Sequence, residues 1–176
     1  KGQNLDLIVF GCTSGSFIKG IGWDQECIKR IETASGSPGL TTSTAVMEAL
    51  KALEAKTVAV LTPYPDATNE AEWQFLENNG IHVTNIAGMD MSGVPSGRIP
   101  NAEKPFLYRN SKAMDLKGAD VFFLSCMALD TLGFVGALET DLGLPVITSH
   151  QATLWSALRH CRVGAKLPKM GRLFTL

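Results

Sequence analysis

Six short apolar runs, each closing on small, polar or nucleophilic residues, constrain this chain more than any other feature. They are Leu5–Phe10, Leu40–Ser43, Thr57–Leu61, Ile81–Ile86, Val121–Ser125 and Pro145–Ser149. Such runs, too short for helices and bounded by turn residues, read as buried strands. Helical spacing of apolar residues fills the intervals at 23–34, 44–54, 66–79, 128–142 and 151–161, with a shorter helix at 111–116. On the last of the long helices Leu154, Trp155 and Leu158 are expected to face inward. Gly36 and Gly80 stand where two of the helices should stop. Asp66 is placed as a helix N-cap. Residues 89–105, rich in Gly, Pro and Ser, read as a long surface loop carrying Arg98. Strands alternating with helices imply parallel α/β layers, and parallel sheets bind ligands beyond the carboxyl ends of their strands. The residues at those ends are Cys12-Thr13-Ser14, Thr42-Ser43, Tyr64, Cys126 and Ser149-His150.

An internal repeat sharpens the reading. Pro38-Gly-Leu-Thr-Thr-Ser-Thr-Ala45 parallels Pro145-Val-Ile-Thr-Ser-His-Gln-Ala152, and each follows a unit of strand, cysteine and helix. The expected architecture is therefore α/β, with two pseudo-symmetric parallel-sheet halves that face each other across a cleft and contribute one thiol apiece. Residues 1–54 with 162–176 are assigned to the first half and residues 55–161 to the second. Lys1-Gly2-Gln3-Asn4 leads into the first strand with no initiator methionine, so the first half is expected to be incomplete at its N-terminus.

Composition excludes several functions. Of 176 residues, 45% are hydrophobic and 19% charged, which supplies a core. The formal net charge is −1 and no long basic run exists, so nucleic acid is not an expected partner. No apolar run is long enough to span a bilayer and no signal peptide is visible, so no membrane role is expected and a cytoplasmic location is the reading adopted. Cys12, Cys27, Cys126 and Cys161 stand far apart without a C-x-x-C pair, and three histidines form no metal-ligand pattern. Free thiols and no metal are expected. Cys27 and Cys161 fall on apolar helix faces and read as core residues. A homo-oligomer is compatible with the sequence.

Cys12 and Cys126 are different. A thiol at a strand end and helix start meets unpaired N–H groups and a positive helix dipole, which favour thiolate. The same N–H groups, with Thr13 and Ser14, suit a carboxylate. Two thiols on opposite faces of one carbon could pass a proton through it and invert it. Alternatively, one could add to a double bond, allow rotation and leave. Neither route needs a cofactor.

Four motifs in order carry a family resemblance. They are Val9-Phe-Gly-Cys12-Thr-Ser-Gly-Ser-Phe17, Leu61-Thr-Pro-Tyr64-Pro-Asp-Ala-Thr-Asn-Glu70, Leu124-Ser-Cys126 with Leu129-Asp-Thr-Leu132, and Leu144-Pro-Val-Ile-Thr-Ser-His-Gln-Ala152. Together they resemble the aspartate/glutamate racemase superfamily, in the branch of maleate cis–trans isomerase and arylmalonate decarboxylase. The resemblance implies that Cys12 and Cys126 are the paired catalytic thiols. It implies that Thr13, Ser14, Tyr64 and the backbone at Met127 bind a small carboxylate substrate. Decarboxylases of the branch carry Gly at the first cysteine position, so Cys12 favours an isomerase or racemase. The alternatives are decarboxylation with Cys126 as sole proton donor, and a non-catalytic carboxylate-binding module.

Overall fold

The computed structural model describes residues 5–176; residues 1–4, and any expectation resting on them, lie outside the description. Strand β1 (Ile8–Phe10) is followed by a short helix α1 (Thr13–Phe17), helix α2 (Trp23–Ser35), strand β2 (Gly39–Thr41) and helix α3 (Thr42–Ala52). Then come β3 (Thr57–Thr62), α4 (Asp66–Asn78), β4 (His82–Gly88), α5 (Lys104–Lys112), β5 (Val121–Leu124), α6 (Val135–Leu142), β6 (Val146–Thr148) and α7 (Ser149–His160). Strands β1 and β2 pair in parallel as one sheet. The other sheet runs β4-β3-β5-β6, parallel throughout. The α/β class and its two sheets agree with the sequence reading.

Composition explains the strand order. All four residues of β5 (VFFL) are buried, and so are all but the first of β3. These continuous apolar runs belong in the middle of a parallel sheet covered on both faces. The edge strand β4 alternates less cleanly and stays partly exposed. Helix α4 seats Phe75 and Leu76 inward, and Phe75 stacks on Phe17 of α1.

The sequence repeat is a structural one. Thr41 caps α3 by accepting a hydrogen bond from the Thr44 amide, and Thr148 caps α7 by accepting one from the Gln151 amide. Helices α3 and α7 pack against each other. Between them Thr153 donates to Thr42 at 3.2 Å and Ser156 to Glu48 at 2.5 Å. The C-terminal turns at 168–175 lie on β6, α6 and α7, with Leu173 and Phe174 buried.

Several expectations require correction. The helix expected at 128–142 begins only at Val135. Gly133 adopts φ +94°, which a regular helix forbids, and the Thr131 hydroxyl is drawn to Thr148 at 3.1 Å. The helix expected at 111–116 lies earlier, because Pro105 opens α5 in its first turn. Asp66 is the first residue of α4, and Pro65 holds the cap position. Helix α7 starts at Ser149, and its buried face runs through Ala152 and Trp155, leaving Leu154 43% exposed. Cys161, expected in the core, is exposed at the end of α7. The long loop contains three single 3-10 turns, with Val94 buried and Arg98 exposed. Among the described residues no helix is long and apolar enough to cross a membrane.

The two capping threonines differ in one respect. Thr148 also accepts from the buried Thr131 hydroxyl, whereas the Thr41 hydroxyl shares its second bond with partly exposed Thr44. Thr41→Ala is expected to cost about 1 kcal/mol in urea unfolding. Thr148→Ala should cost about 2 kcal/mol, because Thr131 is left buried without an acceptor. Equal losses would show that the Thr131 contact contributes nothing.

Candidate active site

The carboxyl ends of β1, β3, β5 and β6 bring together residues distant in sequence. Cys12 occupies the N-cap position of α1 with extended backbone. Its thiol is partly exposed and has no room to spare, because a Cβ built at Gly15 would stand 2.9 Å from Cys12 Sγ. Cys126 follows β5 directly and is 7% exposed. Its φ of +109° is a left-handed backbone value that non-glycine residues rarely adopt. Strain of that kind persists where the surroundings fix it, commonly at working sites.

Ser149 ties the two positions together. Its Oγ accepts from the Thr13 hydroxyl at 2.9 Å and from the Cys126 amide at 2.9 Å. The residue after the first cysteine is thereby joined, through one oxygen, to the backbone of the second. The two cysteines are near enough that charge on Cys12 opposes ionisation of Cys126.

Tyr64, 9% exposed beyond β3, completes the group. Its phenol stands near Cys126 and Ser14, both of which influence its ionisation. Burial, then negative charge at Cys126 and Glu72, pushes the phenol far above its ordinary range, so it remains a neutral donor. Burial likewise pushes the Cys126 thiol up, against the pull of Tyr64 and of the Ala128 amide, whose nitrogen lies 3.4 Å from Sγ. Cys126 therefore keeps its proton at neutral pH, and the expectation that its helix-start position favours thiolate is outweighed by burial.

The other sequence candidates sit as follows. Thr13 is 2% exposed and directs its hydroxyl to Ser149, away from solvent. Among the described residues, no acceptor is recorded for the amides of Thr13, Ser14, Gly15 and Met127. Those amides are the anion-binding groups available at both strand ends. The Met127 side chain turns back over the first half. Its Sδ accepts from Thr153 at 3.7 Å, and its methyl would lie 3.7 Å from a Cβ at Gly11. His150 is half-buried in the first turn of α7, and burial holds its imidazole below the usual value, so it is neutral. Cys27 is buried beneath α2. Among the described residues no group of three His, Cys, Asp or Glu side chains could hold a metal ion.

Sequence reasoning missed Glu72. It lies on α4, 2% exposed, and its Oε1 accepts from Ser125 at 2.6 Å while Oε2 has no protein partner. Burial pushes its carboxyl up to about 8 from an ordinary 4.5, offset only in part by the Ser125 bond. Nothing in an amphipathic helix pattern marks one glutamate as the inward one. Only its spacing from Phe75 and Leu76, at three and four residues, could have placed it on the buried face.

Two measurements follow from these contacts. Gly15→Ala should crowd Cys12 and slow its alkylation by iodoacetamide severalfold, leaving Cys161 in the same protein as an unchanged reference. An unaltered Cys12 rate would show that the thiol has space to move. For Glu72, the folded state holds a proton between pH 4.5 and about 8 that the unfolded chain has released. Stability from this group is present below pH 4.5 and falls as pH rises through that window, with a slope approaching about 1.4 kcal/mol per pH unit. Glu72→Gln removes the titration, so its urea-unfolding free energy should be flatter in pH and higher than wild type at pH 8. Parallel pH profiles would show that Glu72 titrates normally.

Comparisons with known proteins identify the family and the fold. The sequence matches the family described as arylmalonate decarboxylase over residues 1–174. It is 35% identical to arylmalonate decarboxylase of Bordetella bronchiseptica, across 98% of this chain and 72% of that protein. It is 26% identical to maleate isomerase of Pseudomonas putida, across 97% of this chain and 70% of that one. The fold superposes on Nocardia farcinica maleate cis-trans isomerase with a covalently bound succinylcysteine intermediate. The TM-score there is 0.88 at 22% identity, covering 97% of this chain and 71% of that one. The chain belongs to the arylmalonate decarboxylase family, in a branch shared with the maleate isomerases.

Proposed function

We propose that this protein isomerises or racemises a small carboxylate using Cys12 and Cys126 as a thiol pair. The observation that carries the reading is that Ser149 joins Thr13, the residue after Cys12, to the backbone of Cys126 at one end of the strands. Their environments divide the labour. Cys12 is partly exposed at the N-cap position of α1. Cys126 is buried and protonated, and stands near a neutral tyrosine. The substrate carboxylate is held by the amides of Thr13, Ser14 and Met127, with the Ser14 and Tyr64 hydroxyls beside them.

In racemisation, Cys12 thiolate takes the α-proton from one face while the Cys126 thiol returns one to the other. The electron pair rests meanwhile on the anchored carboxylate, and the pair of thiols ends with its protons exchanged. In cis–trans isomerisation, Cys12 sulfur bonds to one alkene carbon and Cys126 protonates the other. Rotation about the new single bond follows. Cys126 then recovers its proton as the carbon–sulfur bond breaks. The succinylcysteine of the Nocardia isomerase is an adduct of this second kind. No step consumes a cofactor.

Decarboxylation of a disubstituted malonate is the second reading, favoured by the closer identity to the Bordetella decarboxylase and by the protonated state of Cys126. There Cys126 alone protonates the carbanion left by carbon dioxide.

The discriminating experiment assays maleate, aspartate, glutamate, hydantoins and arylmalonates in deuterium oxide. Cys12→Ser and Cys126→Ser should each lower isomerase or racemase turnover by about 10³-fold or more with the fold retained. Near-wild-type turnover in both variants would overturn the thiol-pair mechanism. Undiminished decarboxylation by Cys12→Gly, with no isomerisation or exchange at the α-carbon by the wild type, would establish the second reading instead.

A further inference from the structure

We propose that Glu72 is a positioning residue for Cys126: through its hydrogen bond with Ser125 it fixes the strained turn that carries the thiol. The inference rests on the reading of Cys126 as a working thiol. Its support is geometric. Ser125 is 0% exposed, immediately precedes Cys126, and directs its only recorded side-chain hydrogen bond to Glu72 Oε1 at 2.6 Å. The Cys126 backbone departs from the strand at φ +109°, which needs support on both sides of the residue. Before it, Ser149 holds the Cys126 amide and Glu72 holds Ser125; after it, the Leu129 amide donates to the Cys126 carbonyl at 3.4 Å.

The surroundings of Glu72 are otherwise unable to stabilise a charge. Thr13 and Phe17 of α1, Ser43 and Val46 of α3, Phe75 of its own helix and Phe123 of β5 enclose a gap beside it too small for water. The ionisable groups that its charge reaches are Tyr64 and Cys126, and it raises both. None of the enclosing side chains on α1, α3 or β5 is a cation. A carboxylate formed here would oppose a thiolate on Cys126 through a low-dielectric interior. A neutral carboxyl does not, and it retains one oxygen to receive Ser125. The unpartnered Oε2 suits the protonated form, in which that oxygen carries the hydrogen and no solvation of charge is required.

The test is the pH dependence of Cys126 alkylation by iodoacetamide, followed peptide by peptide between pH 6 and 10, with folding checked by circular dichroism. It needs no substrate, so it stands whether or not the thiol-pair mechanism does. Activity loss in Cys126→Ser reads the mechanism, and the thiol titration reads Glu72. Glu72→Gln should lower the Cys126 midpoint by about half a pH unit or more, because no charge develops behind the thiol. A midpoint identical to wild type would overturn the proposal. Should the glutamine variant not fold, the wild-type curve decides. Cys126 reactivity that lags a one-proton curve above about pH 8, where Glu72 ionises, supports the coupling. A plain one-proton curve refutes it.

Discussion

One oxygen, Ser149 Oγ, holds the site together. It receives the Thr13 hydroxyl from the β1 end and the Cys126 amide from the β5 end, and Ser149 is wholly buried. A buried hydrogen bond of this kind contributes on the order of 1 kcal/mol net, and leaving its donors unpaired costs more. Here each loss would also release a cysteine from its partner. The seam extends outward as Ser16 with Ser43, Thr42 with Thr153, and Thr131 with Thr148. Hydroxyls suit this place because each both donates and accepts, so a small side chain satisfies two neighbours where helices approach closely.

The seam also explains how an unusual backbone survives at Cys126. Left-handed φ at a non-glycine residue costs about 1–3 kcal/mol. Bonds at the Cys126 amide and at Ser125 fix the chain before the thiol, and the Leu129 amide holds the Cys126 carbonyl after it. At the other thiol the constraint is steric. Gly15 must lack a side chain for Cys12 to keep its position. One thiol is held by its backbone and the other by the absence of a neighbour, so the two halves reach similar placements by different means.

Much of this was legible in the sequence because it depends on local rules. The repeat around Pro38 and Pro145 encodes matching Thr41 and Thr148 caps, and capping is decided within four residues. The strand-end cysteines and Tyr64 follow from parallel-sheet topology. What was not legible depends on contacts remote in sequence. Ser149 stood among the strand-end residues, but its bond to Thr13 spans 136 positions. Glu72 reads as one more charge on a polar helix until Ser125 is brought to it. The late start of α6 escaped notice because a single residue, Gly133, takes a φ that composition does not announce. The exposure of Leu154 has a comparable origin: tertiary packing, including the bonds of Thr153 and Ser156 to α3, selects the buried face of α7, and apolar spacing does not announce that choice.

The location of the proton separates the chemistries this scaffold supports. Decarboxylation needs one thiol that stays protonated until a carbanion forms. Isomerisation needs that same thiol and a second one that has already released its proton. Burial, a neutral Tyr64 and a neutral Glu72 all favour the first condition at Cys126. Cys12, the second thiol, is partly exposed at the N-cap position of α1. On the reading proposed above, Cys126 supplies the acid in either case and Cys12 decides whether a base faces it. Replacing Cys12 is expected to leave the seam intact, because Thr13, and not Cys12, carries the bond to Ser149.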